Sequence, residues 1–168
     1  MNGTVALSYD AAGRLHTVTA SVSTTTFLYS GDELVAEYSG TTLIRRYVHG
    51  SGTDEPLVWY DVSGSSSVRH FLHADARGSI IAVTNDSGTA TETFSYGPYG
   101  GPSDMTGSHF LYTGQVAIAE AGLYYYKARF YSPALGRFLQ ADPAGYDAGP
   151  NLYAYAGGDP INRTGKRS

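Results

Sequence analysis

The sequence has no cysteine, which excludes a disulfide framework and every thiolate metal site. Charge is sparse: 11 Lys and Arg stand against 15 Asp and Glu in 168 residues, a net charge of -4. Such a balance argues against nucleic acid as a partner, because phosphate binding needs a clustered basic face. The basic cluster that does occur is Arg163, Lys166 and Arg167. No apolar run approaches the roughly 20 residues of a membrane span, so no membrane span is expected. The opening MNGTVALSYD has neither a positive n-region nor an apolar h-region, which predicts no export signal in this chain. Leu-rich helical patterns are scarce as well.

What is abundant is 21 Gly and 15 Tyr, with many Thr and Ser, a composition of strands and turns. In SYDAAGRLHTVTA, Tyr9 ends a strand, Asp10 can accept from the backbone N–H groups of a turn, and Gly13 supplies the positive φ. Leu15 then starts the return strand. Looser copies follow in LYSGDELVAEYSG, VWYDVSGSSSVRHF and IIAVTNDSGTATETFSYGPYG, spaced irregularly near twenty residues. In TTLIRRYVHG the period is two, with Ile44, Arg46 and Val48 on one face and Leu43, Arg45, Tyr47 and His49 on the other.

These patterns predict an all-β antiparallel hairpin meander. Strands are expected near 5–9, 14–20, 25–29, 34–38, 42–49, 56–61, 68–74, 79–85, 91–96, 110–112 and 123–131. Only GQVAIAEAG and PNLYAYAGG admit a short helix.

Several motifs carry a resemblance. YDAAGRL is similar to the YD repeat, HADARGSI to a His-x-Asp-x-x-Gly-Ser signature (His73, Asp75, Gly78), and FSYGPYG to a Y-x-P-x-G run. The stretch GLYYYKARFYSPALGRFLQADPAGYDAGPNLYAYAGGDPIN follows the order L-Y-Y, A-R-[FY]-Y, P-x-x-G-R-F, D-P-x-G, N-x-Y-x-Y, P-x-N, which includes Gly136, Arg137, Asn151, Tyr153 and Tyr155. The chain thus resembles the Rhs/YD-repeat family, with hairpin repeats over 1–110 and the Rhs-associated core over 111–168. The resemblance implies a hollow shell of hairpins, an irregular plug at its C-terminal end, and an enclosed toxin payload in the parent protein. Expected partners are other repeats of such a shell, or a second copy through unpaired strand edges. Secretion or cell-surface delivery is implied likewise.

Many members of that family cut themselves after the core with an aspartyl-protease-like site. Its Arg and first Asp correspond to Arg129 and Asp142. The second Asp corresponds to Gly165, with Lys166 where Pro would stand, so the second D-P-x-G is missing. A carboxylate pair works by splitting one proton between two acids, and a lone aspartate cannot do so. The expectation is therefore a remnant without activity, in a plug truncated at its C-terminal end. Asp159 is the nearest carboxylate and reads as a turn residue ahead of Pro160. Without the resemblance, Asp142 reads as the first residue of a type I turn, and Arg129 as a strand arginine lying over neighbouring tyrosines.

No metal site is expected: His70 and His73 face opposite sides of a strand, leaving only His73 and Asp75 on one face. No cofactor is expected either, since YGPYGG has no Lys-Ser/Thr after it to make a phosphate loop. The tyrosines of LYYYKARFY leave a carbohydrate- or partner-binding β module as a third reading, set against simple packing.

Overall fold

A computed structural model of the chain describes residues 4–142, 151–160 and 163. Nine strands form one sheet in chain order: β1 Val5–Tyr9, β2 Leu15–Ala20, β3 Ser23–Ser30, β4 Glu33–Ser39, β5 Thr42–His49, β6 Pro56–Ser63, β7 Ser66–Ala74, β8 Ile80–Thr84 and β9 Ala90–Thr93. A second sheet has four: β10 Val116–Ile118, β11 Leu123–Tyr125, β12 Phe130–Ser132 and β13 Arg137–Phe138. The described elements comprise strands and short 3-10 turns, so the all-β antiparallel expectation holds. By contacts the chain forms two units. One runs to His73 and resumes at Ala82–Thr93; the other comprises Ala74–Ile81 and the described residues from Phe94 onward.

The turn read from YDAAGRL is formed as its residues dictate. Asp10 Oδ1 accepts from the N–H groups of Ala12 and Arg14, both at 2.9 Å, and Gly13 takes φ +78°. The same turn recurs where Asp75 Oδ1 accepts from Arg77 and Ser79 at 2.8 and 2.9 Å, with Gly78 at φ +82°. It recurs again where Asn85 Oδ1 accepts from Ser87 and Thr89, both at 3.0 Å. One rule, Asp or Asn followed three residues later by Gly, therefore builds three hairpin connections.

Period two fails just after the turns. Tyr9 pairs with Leu15 but Ser8 with Thr17, which leaves His16 as an extra residue in β2. Pairing leaves Val35 extra in β4, Ile44 in β5 and Leu57 in β6 by the same count. An extra residue resets which face follows. Hence Leu15 and Val18 are both buried although three apart, as are Leu34 and Glu37, and Pro56 and Trp59. The expected face of β5 is accordingly interrupted at Ile44: Arg45 and Tyr47 stay together, while Leu43 falls out of phase.

Arg45 belongs to a polar row across three strands that ends on an apolar residue of the fourth. Glu37 of β4, Arg45 of β5, Asp61 of β6 and Val68 of β7 stand opposite one another in register. Tyr47 Oη donates to the fully buried Glu37 at 2.5 Å, and Arg45 Nε donates to Asp61 at 2.8 Å. His70 Nε2 lies 3.1 Å from Asp61 Oδ2, and its ring stacks on Trp59 with centroids 4.5 Å apart. The buried carboxylate is tolerated because the Tyr47 hydroxyl donates to one oxygen and the Arg45 guanidinium lies 3.9 Å from the other.

The second unit is packed by tyrosines. Tyr112, Tyr124, Tyr131 and Tyr155 are at most 1% exposed, and their rings meet at 4.4 to 6.4 Å. Each such pair adds about 0.5–1.5 kcal/mol beyond the area it buries. Hydroxyls find backbone acceptors: Tyr124 on Gly100 at 3.0 Å and Tyr131 on Tyr99 at 2.8 Å.

Two strand expectations differ here, and so does one stretch that admitted a short helix. Residues 110–112 supply one isolated bridge at Phe110 and then a 3-10 turn, Tyr112–Gly114. Residues 123–131 split into β11 and β12, because Lys127 takes a left-handed φ of +59° and reverses the chain. GQVAIAEAG contains β10 and a 3-10 turn, Ala119–Ala121.

Candidate functional site

The reversal at Lys127 decides where Arg129 goes. Tyr126 N–H donates to the Arg129 carbonyl at 2.8 Å, closing a turn that delivers the Arg129 side chain into the unit, 4% exposed. There its Nη1 donates to Asp142 Oδ2 at 2.7 Å. The guanidinium carbon lies 3.7 Å from the centroid of the Phe138 ring, within cation–π range. The sequence pointed to a tyrosine beneath this arginine; the ring is Phe138, brought in by β13.

Asp142 is fixed from the other side as well. Its N–H donates to the Leu152 carbonyl at 2.9 Å, and Phe138 N–H donates to the Tyr153 carbonyl at 3.0 Å. A further bridge pairs Arg137 with Ala154. The stretch from Leu152 to Ala154 therefore runs antiparallel to the chain from Arg137 to Asp142, with Tyr153 and Ala154 beside β13. Tyr155 then enters the tyrosine cluster, its ring 4.4 Å from that of Tyr131.

The other motif residues sit as follows. Gly136 takes φ +64°, and a Cβ there would meet the Tyr99 ring at 2.9 Å. Asn151 Oδ1 accepts from Tyr153 N–H at 3.1 Å, and the Tyr153 side chain is half exposed. Tyr9 is half exposed at the end of β1. His73 Nε2 is 2.9 Å from Thr84 Oγ1, whereas Asp75 is engaged by its turn. Among the described residues no three of His, Asp and Glu gather as a metal group would require.

Two residues of the HADARGSI motif matter more than the sequence revealed. Ser79 is fully buried, and its Oγ accepts from Thr113 N–H at 3.1 Å. Arg77 reaches far beyond its own turn. Tyr124, Tyr125 and Tyr131 of LYYYKARFY are all buried, so their faces are used in packing rather than offered to a sugar.

Chemically, the described residues bring together one arginine, one carboxylate and a ring. A single carboxylate beside a guanidinium can accept a proton, but a second acid is needed to donate one. Asp159 closes the 3-10 turn Ala156–Gly158, its N–H donating to the Ala156 carbonyl at 3.2 Å. Gly165, Lys166 and the turn expected over Asp142 to Gly145 lie outside the described residues, apart from Asp142 itself.

No protein-family model matches the chain. The tRNA3(Ser)-specific nuclease WapA of Bacillus spizizenii is 29% identical over 166 residues, covering 91% of this chain and 7% of that protein. The double-stranded DNA deaminase toxin A of Burkholderia cenocepacia is 32% identical over 100 residues, 55% of this chain and 7% of that one. The crystal structure of TcdB2-TccC3 matches with a TM-score of 0.66 at 21% identity, over 96% of this chain and 10% of that one.

Fold and turns together define an antiparallel β-hairpin repeat resembling part of the TcdB2-TccC3 shell. Within that class the chain resembles Rhs/YD-repeat proteins, and a toxin is among the proteins it is similar to. It spans less than a tenth of the length of the WapA and deaminase relatives, whose activities are their own.

Proposed function

We propose that this chain serves as part of an encapsulating wall, with residues 1–110 contributing hairpins and residues 111–168 a plug beside the enclosed payload. The observation that carries this reading is the way the described part of the second unit is held. The residues Leu152 to Ala154 are paired with the chain from Arg137 to Asp142, and Tyr155 is anchored in a core of stacked phenols. A closure must hold its own backbone tightly, and this arrangement does so by backbone pairing and a buried ring. The wall supplies sheet edges that further hairpins can cover.

Protease protection tests it. The segment would replace the corresponding stretch of full-length Bacillus spizizenii WapA, with a fluorescent reporter fused after the plug. Encapsulation predicts that the reporter survives protease until the wall is denatured. Digestion at the rate of the free reporter would remove the proposal.

Within this role, Arg129 and Asp142 act as half of a self-cleavage constellation, with Gly165 at the position of the second acid. The enzymatic role is then absent and the pair is structural. Intact-mass measurement on the purified chain should find it uncut. Spontaneous cleavage that Asp142→Asn removes would reverse this reading.

A further inference from the structure

The three Asp/Asn turns are near copies in backbone, which singles out the residue that their geometry does not require. At the position two after the Asp or Asn, the first has Ala12 and the third Ser87, and both turns form. The middle turn has Arg77 at that place. Its side chain leaves the turn, lies over the Tyr112 ring at 5.6 Å, and donates from Nη1 to the carbonyl of Pro160 at 2.8 Å. The two residues are 83 apart in sequence, and Pro160 is buried.

The turn in turn is fixed to the core beneath it. Ile80 N–H donates to the Leu111 carbonyl at 3.0 Å, and Ser79 Oγ receives Thr113 N–H. Arg77 thus projects from a rigid base. A planar guanidinium suits this work, since it can stack by one face and donate by an edge.

We infer that Arg77 is a latch: it fixes the C-terminal stretch at Pro160, after its last turn. The stretch is held by Asp142 at Leu152, by β13 at Tyr153 and Ala154, and in the core at Tyr155. The residues Ala156–Gly158 form a glycine-rich 3-10 turn containing Gly157 at φ +64°, which offers little fixation of its own. Arg77 supplies a fixed point after that turn. A merely stabilising arginine would need no such reach, and the Asx hydrogen bonds of the turn would form with alanine in its place, as they do at Ala12. The inference does not rest on the self-cleavage reading.

Hydrogen exchange on the full chain, read by mass spectrometry, tests it. Arg77→Met keeps an apolar stem over Tyr112 but removes the donor; Arg77→Lys keeps a donor. Arg77→Met should raise exchange in a peptide covering 151–160 about tenfold, with a peptide covering 123–132 unchanged, and Arg77→Lys should restore much of the protection. Equal loosening of both peptides, no change in either, or Lys behaving as Met would each overturn the latch.

A second arm joins it to processing. In a chain carrying Gly165→Asp and Lys166→Pro with a reporter beyond, Arg77→Met should slow reporter release severalfold. If that chain does not cut itself even with Arg77 intact, the self-cleavage reading fails and the exchange result still decides the latch. Release unaffected by Arg77→Met, in a chain that does cut, would count against the latch.

Discussion

Asp142 Oδ2 lies 2.7 Å from Arg129 Nη1, on a guanidinium that also lies over the face of Phe138 at 3.7 Å. With side chains 5% and 12% exposed, the two charges depend on each other. Asp142→Ala would leave the guanidinium buried without its carboxylate. Losing one partner of a buried pair costs about 3–5 kcal/mol, and urea unfolding should read a loss in that range. The double variant Arg129→Met with Asp142→Ala should be more stable than Asp142→Ala alone. A double variant no better than the single one would show that the pair is not energetically coupled.

The turns permit a swap that their sequences do not advertise. Asn85 performs with its amide oxygen the acceptor role that Asp10 and Asp75 perform with carboxylates. Asp75→Asn should therefore stay within about 0.5 kcal/mol of the parent. Asp75→Ala strands two N–H groups, one of them on the buried Ser79, and should cost about 1–3 kcal/mol. Thermal denaturation of the two variants distinguishes turn chemistry from a requirement for charge.

Two glycines with nearly equal φ should respond unequally to alanine. Gly13 at φ +78° has nothing within 4 Å of a Cβ, so Gly13→Ala meets only the backbone penalty of about 1–2 kcal/mol. At Gly100, φ +76°, the Cβ would lie 2.4 Å from Cδ1 of the buried Tyr112. That ring must move, which adds about 1–3 kcal/mol of overpacking. Chemical denaturation should rank Gly100→Ala clearly below Gly13→Ala, and equal midpoints would contradict the packing described.

These comparisons also show how far the residues could be read in advance. The Asp10 turn was legible because Asp and Gly have local roles that need no knowledge of the fold. Strand positions through β7 were legible from alternation, but the bulges at His16, Val35, Ile44 and Leu57 were not. No residue type marks them, and they arise from how each return strand meets its partner. The break at Lys127 was hidden for a related reason: lysine rarely takes a left-handed φ, so Tyr126 to Arg129 reads as continuous strand. Arg129 with Asp142 was legible only through resemblance, since thirteen residues of spacing carry no geometric information. Phe138 and Arg77 were invisible as partners because ring stacking and a carbonyl contact across the chain leave no local trace.

The phenols of the second unit make stability fall on the alkaline side. Burial raises the pKa of Tyr96, Tyr112, Tyr124 and Tyr131, and nearby charge adds to it: Asp75 for Tyr96, Tyr155 for Tyr112 and Tyr131, and Tyr96 for Tyr124. Tyr126 is pushed well up by burial and then by Tyr155. In the unfolded chain each phenol titrates near 10. The folded form therefore keeps protons that the unfolded form releases once the pH passes about 10, and stability falls as pH rises. The contribution is whole below that pH and is lost progressively toward the higher folded pKa values. Absorbance at 295 nm should show these phenols ionising together, in a step that coincides with loss of the β signal in circular dichroism. Tyr131→Phe removes one titrating group together with its bond to the Tyr99 carbonyl. It should cost about 1 kcal/mol at neutral pH and make the alkaline decline shallower. Phenols that titrate singly near pH 10 with the fold intact would contradict the closed tyrosine core.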